Sequence, residues 1–595
     1  MRDNSNFVDR RNALQAITAL VSSAALSGCG LLVRKPVPVC PNSPEVSQPD
    51  GTLTIDAHCH VFNGSDLQIE EFLTLVLAKQ AGLVGVGARA IAPLLQHVGW
   101  EVAPTGVAEM NQLQTLSKEL KTCSPQEHRA RVVSLRNGAY VRGREQLRSA
   151  LAKSAELQRF RQNLQLNGLD MHADEVTRAR ADLIAAIDAL PEHVGDYKAV
   201  RSNPRLELLA HQKTARGMLD FVLQNFQYRY VSVYDYLETY NKAGGRFIDL
   251  MLPSIVDYDF WLAKGGPTPT PLDKQVEVMR QISVVTGGRV HAFVPFDPLR
   301  QVAFKLGHTS TDSYTLATGA IERSGCVGVK LYPPMGFAPL GNAKLKGEDG
   351  GPFWRRKWLP DWAARPDLGG HLDDAMRLML NWCERNEVPV MAHTNTSNGP
   401  SADFEALAGS CYWAKALEEF KRLRISFGHF GDSSLGDDGP TGVQRARGFT
   451  ALMGSGVDAL GRNAYADAAY FVEGLLNRPE LLAALRQLYD DTSPGHAPLA
   501  SRFMYGTDWD MTLTEGNVID NYLNGFVALF KDMESRPAIQ SQGVAGLSER
   551  FFGRNAVEWI GLRKSQRARD RLDKFYATTG VPTPDWMAKV DKLGA

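Results

Sequence analysis

Eight short apolar runs punctuate the chain, at 53–60, 246–252, 290–295, 327–332, 388–393, 425–429, 465–470 and 503–507, and each reads as a strand. Helical patterns lie between most of them. Within 371–386, Leu372, Met376, Met379 and Cys383 recur at steps of four, three and four, and within 413–423 Trp413, Leu417 and Phe420 do the same. This is the period of a helix that buries one side. Strands alternating with helices predict an α/β fold, and eight such strands predict a (β/α)8 TIM-like barrel. An open doubly wound sheet competes, but no glycine-rich dinucleotide turn follows the first strand.

The spacing between runs is uneven. A large, mainly helical insertion is expected at 67–240, after strand one, on the strength of stretches such as GREQLRSALAKSAELQRFRQNLQL and DEVTRARADLIAAIDAL. The barrel would then comprise 52–66 and 241–562, followed by a C-terminal tail at 563–595. Further excursions at 333–367 and 431–463 follow strands four and six. Loops that follow barrel strands crowd the active face, so all three excursions are expected to wall or cap it. The stretch FQYRYVSVYDYLETY fits helix or strand equally.

The first fifty residues follow another pattern. A polar start, the Arg10–Arg11 pair and an Ala- and Ser-rich apolar run ending in LSGC read as an export signal over 1–29. The arginine pair resembles a twin-arginine signal, although Ala13 stands where an aromatic is common. LSGC resembles a bacterial lipoprotein box, which would make Cys29 the lipidated residue. Residues 30–51, rich in Pro and polar side chains, read as a tether. The expected location is therefore the periplasm or cell envelope of a bacterium, with membrane contact through the lipid alone.

Lys+Arg and Asp+Glu balance at 66 each, which gives no electrostatic case for nucleic acid or an anionic membrane as partner. A small molecule is the expected partner, and self-association is left open. The seven cysteines form no CxxC pair, which argues against a disulfide framework or a cysteine zinc cluster. Cys326 and Cys383 read as buried thiols.

The chemistry collects at strand ends. In TIDAHCHVF, residues two apart share a face, so Asp56, His58 and His60 point inward while Ile55, Ala57 and Cys59 point away. Two imidazoles on one strand face form a chelating edge for a divalent metal. His393 closes strand five, His429 closes strand six, and Asp508 follows the last apolar run. Burying such groups is costly unless they are paired or bound to metal. The same parity turns Lys330 of strand four inward. It would either pair with an acid or an anionic substrate group, or carry CO2 as a carbamate that bridges two metals.

DAHCH, His393, His429 and GTDWD together resemble the amidohydrolase superfamily, in particular the metal-dependent branch that holds hydrolases, decarboxylases and lactonases. FFGRNAVEWIGL (551–562) resembles that branch's closing helix. The resemblance implies a divalent metal, usually zinc, one or two per chain. It implies His58, His60, His393 and Asp508 as ligands. His429 would be a second-metal ligand or a substrate-polarising group, and Lys330 would join if carbamylated. Asp508 and His429 would be catalytic. The expected reaction is hydrolysis of an amide, ester or lactone by a metal-activated water. Decarboxylation of an unsaturated or aromatic acid is the alternative, and in either case Arg355, Arg356, Lys357 and Lys330 could hold a carboxylate. The alternative outside catalysis is a surface-anchored binding lipoprotein.

Overall fold

The computed structural model describes residues 51–76, 82–120, 124–152, 221–240, 245–431, most of 435–593 and a few positions between 181 and 188. The export signal, Cys29 and nearly all of the tether lie outside the described residues, as does most of the insertion between 153 and 220. Among the described residues no helix is long and apolar enough to cross a membrane.

Among the described residues, eight strands overlap the eight predicted runs. They are β1 (Ile55–Cys59), β2 (Leu250–Pro253), β3 (Phe293–Pro295), β4 (Gly328–Leu331), β5 (Val390–His393), β6 (Ile425–Gly428), β7 (Ala464–Asp467) and β8 (Phe503–Met504). Most are shorter than predicted, and β2, β3 and β5 start later than the apolar runs that mark them. β1 pairs with β2, and β3 to β8 pair in sequence order, all parallel. Parallel bridges Met251–Val290 and Ser254–Phe293 join β2 to β3. At the other end, the Ala57 N–H donates to the Tyr505 carbonyl (3.0 Å) and the Asp508 N–H to the His58 carbonyl (2.9 Å). Hydrogen bonds thus run from each strand to the next, and from the residues that follow β8 back to β1. The fold is α/β, a mostly parallel sheet with helices.

Between β1 and β2 the described residues form helices α1 (Gly82–Val102), α2 (Gly106–Glu119), α3 (Pro125–Ala152) and α4 (Arg229–Thr239). The tyrosine-rich stretch is therefore helical from Arg229 onward. Its rings lie in the interior, with Tyr236 and Tyr240 set edge-on to Trp509 at 5.4 and 6.2 Å. Helix α5 (Leu272–Val285) precedes β3, α6 (Leu368–Arg385) precedes β5 and α7 (Ser410–Glu419) precedes β6. The predicted faces are buried: Leu372, Met376, Met379 and Cys383 on α6, and Trp413 and Leu417 on α7. Each such side chain contributes about 1.5–3 kcal/mol relative to exposure.

Met391, two residues before His393 on the same strand face, packs with Phe293, Met504 and Trp559 as an apolar floor. Beneath it lie helices α8 (Arg567–Thr579) and α9 (Asp585–Lys592), in the stretch read as a tail. Their Leu572, Phe575, Trp586 and Val590 join that floor, so these residues are part of the core. The four cysteines described, Cys59, Cys326, Cys383 and Cys411, are unpaired thiols.

Candidate metal centre

His58 and His60 leave the inward face of β1 as the period of two requires, and both are buried. Asp508 reaches the same point from the turn after β8. One ligand atom from each of His58, His60 and Asp508 lies within 4.8 Å of the others. Asp508 Oδ1 is 3.4 Å from His60 Nε2 and 3.9 Å from His58 Nε2. Both Asp508 and His429 hold left-handed backbone, with φ of 57° and 64°. For an ordinary L-residue that costs about 1–2 kcal/mol, and the surrounding packing holds it.

The imidazoles are aimed by what their second nitrogens touch. His58 Nδ1 faces Asp467 Oδ1 at 3.1 Å, His60 Nδ1 faces the Ser254 carbonyl at 3.0 Å and His429 Nδ1 faces the Ala469 carbonyl at 2.9 Å. These oxygens only accept, so each Nδ1 carries the hydrogen and each Nε2 keeps its lone pair. This is how ligating histidines are usually oriented. His429 Nε2 in turn accepts from His393 Nδ1 at 3.0 Å. That leaves His393 Nε2, buried, with no partner.

Space for His58 comes from two glycines. A Cβ on Gly428 would stand 2.7 Å from His58 Cε1 and 2.8 Å from the Ala392 carbonyl, and one on Gly506 would stand 3.0 Å from His58 Cβ. This accounts for the glycines of FGH and GTDWD.

Burial lowers the pKa of His58, His60 and His393, which keeps them neutral and able to ligate. Lys330 Nζ lies 2.6 Å from His58 Nε2. Burial brings Lys330 down to about 8, against the pull of Asp508 and Asp467. It donates to the lone pair that a metal on His58 needs, so loading the site must displace or modify it.

Asp467 escapes the sequence reading. It ends β7 and accepts from His58 Nδ1, from Ser426 Oγ at 3.0 Å, and from the His429 and Ala469 N–H groups at 3.1 and 3.2 Å. Its signal was present: an acid closing an apolar run, as His393 does, hidden by reading the strand through to residue 470. Asp56 shares the inward face but is not aimed at the cluster. It accepts from Thr507 Oγ1 at 2.5 Å and from Tyr236 at 2.6 Å. The basic loop also stands apart: Arg355 is exposed and faces Asp349, and Arg356 pairs with Asp403.

A cavity opens over the cluster, with His60, His393, His429 and Asp508 among its lining residues. Phe62, Leu67, Phe72, Phe221, Phe226 and Met511 supply apolar wall. Tyr332 stacks on His393 at 4.2 Å and meets Tyr258 edge-on at 5.2 Å.

Fold and site together define an α/β protein whose strand ends gather imidazole and carboxylate beneath an apolar cavity. No family model and no curated protein matches the sequence. Among solved structures, an uncharacterised TIM-barrel protein from Bordetella bronchiseptica is similar at 13% identity over 61% of this chain and 93% of that one, with a TM-score of 0.30. A 2,6-dihydroxybenzoate decarboxylase from Rhizobium is similar at 14% identity over 55% and 87%, with a TM-score of 0.29. The 5-carboxyvanillate decarboxylase LigW from Sphingomonas paucimobilis is similar at 13% identity over 55% and 82%, with a TM-score of 0.29. Likeness at this level bears on neither family nor chemistry.

Proposed function

We propose that the chain is a (β/α)8 barrel enzyme of the amidohydrolase type, which holds a divalent metal and hydrolyses an amide, ester or lactone with an apolar body. The observation that carries this is the meeting of His58, His60 and Asp508 with their ligand atoms turned inward. The residues fit such an ion. Asp508 Oδ1 and His393 Nε2 are buried without a hydrogen-bond partner, and the imidazoles present lone pairs, a donor set suited to zinc or a similar ion. His58, His60 and Asp508 would hold it. His393 is the next candidate ligand, and His429 positions His393. A carbamylated Lys330 would bring a second ion.

When bound, the ion supplies Lewis acidity, which lowers the pKa of a water to about 7. The Asp508 carboxylate would take a proton and return it to the leaving group. The apolar walls exclude bulk water and strengthen every charge interaction inside.

Hydrolysis is preferred over decarboxylation because no Lys or Arg stands among the described residues lining the cavity, which favours a neutral substrate. The test is to purify the full chain, measure its metal content and assay it before and after chelation. Neutral aryl esters, lactones and amides would be followed by acid release, and aryl carboxylic acids by CO2 release. Chelator-sensitive acid release is the expected result. CO2 release alone would move the reaction to decarboxylation. A preparation that holds no metal and turns over neither class would leave the binding lipoprotein as the better reading.

A further inference from the structure

Among the described residues lining the cavity, three side-chain atoms are buried without a hydrogen-bond partner: His393 Nε2, Asp508 Oδ1 and Asn225 Oδ1. The first two belong to the candidate metal set. Asn225 does not. It lies in the helical residues just before α4, on the wall that the segment between β1 and β2 lays over the cavity, and it is 3% exposed.

Its orientation is decided by chemistry. Asn225 Nδ2 is 2.8 Å from the Phe221 carbonyl, which can only accept. The nitrogen is therefore on that side, and the free atom is the oxygen, an acceptor. A buried amide oxygen with no donor is costly, and the cost is relieved when a ligand brings an N–H or O–H. Gln68 does not serve in its place, because its Nδ-equivalent Nε2 is turned away to Asp259 and the Gly266 carbonyl at 2.9 and 2.7 Å. Phe221, Val222, Phe226, Leu73 and Phe72 are apolar and line the same cavity.

We infer that Asn225 is a specificity-determining residue, and that the substrate is a neutral molecule with an aromatic or apolar body bearing a hydroxyl or N–H donor that Asn225 Oδ1 accepts. This rests on reading the cavity as the substrate pocket of the enzyme proposed above. A site that holds an acceptor for one donor discriminates strongly against the isostere lacking it, because the acceptor is then left unpaired.

The test is binding, so it does not depend on turnover. Calorimetry on the metal-loaded full chain would compare 2-naphthol, which carries the donor, with 2-methylnaphthalene, which has a methyl in its place. Wild-type protein is expected to bind 2-naphthol at least about tenfold more tightly. In Asn225→Leu the preference is expected to vanish, with 2-methylnaphthalene binding at least as well as in wild type. Equal binding of the two probes to wild type, binding of neither, or an undiminished preference in the folded variant would overturn the inference. The wild-type comparison stands even where the variant fails to fold. A clear preference in a protein without chelator-sensitive turnover would sink the enzymatic reading and leave the ligand class standing.

Discussion

At the scale of single residues, the site depends on where one imidazole can lie. Gly428 and Gly506 leave the room for His58, and Asp467 turns it. Gly428→Ala is expected to displace His58, since the added carbon would meet both that ring and a backbone oxygen. Asp467→Ala removes the oxygen that accepts from His58 Nδ1, which breaks that anchor. Each is expected to weaken metal affinity about 10–100-fold, read by competition against a chromogenic chelator. Unchanged affinity in Asp467→Ala would show that the β7 carboxylate does not orient the ligand. The inward turn of His58, His60 and Lys330 is legible in the sequence because strand parity is a local property. Asp467 is harder to single out, because its role exists only once β7 lies beside β6 and opposite β1.

At the scale of elements, two contacts join distant segments through polar atoms. Tyr236 of α4 donates to Asp56 under the site, where burial pushes Asp56 up to about 7 against hydrogen bonds from Thr507 and Tyr236. Tyr236→Phe removes one donor from a buried carboxylate and is expected to cost about 1–3 kcal/mol in chemical unfolding. His291, just before β3, sits between the Gly325 carbonyl at 2.7 Å and the Tyr576 hydroxyl at 2.6 Å, and so ties β3 to α8. Burial lowers His291 to about 4, from an unfolded value near 6.5. The folded state therefore binds this proton less readily than the unfolded one. The stability His291 contributes is fully present above about 6.5 and is lost as pH falls toward 4, by on the order of 3 kcal/mol. His291→Gln should flatten that part of the curve of melting temperature against pH. A wild-type curve already flat between those values would contradict the assignment. The helix faces of α6 and α7 are readable from their periodicity alone. The tyrosine-rich segment is not, since every face of α4 is covered and the pattern carries no single stripe.

At the scale of the whole molecule, three groups from opposite ends of the chain meet only in the folded state. A metal that binds them therefore stabilises the fold by mass action. At a free concentration 100 times its Kd, zinc should add about 2.7 kcal/mol to the stability of the native protein. The shift in melting temperature should disappear in the His58→Ala, His60→Ala double variant. A shift that survives there would place the binding elsewhere.

The order of strands and helices, the inward parity of the polar residues and the buried faces of the helices are set by the sequence alone, because each depends on residues a few positions apart. Which lone pairs are left free, that Asp467 anchors His58, that Lys330 competes for the same nitrogen and that the segment around Asn225 covers the cavity were decided by tertiary structure. Those facts depend on distances between residues far apart in the chain, and no local pattern encodes them.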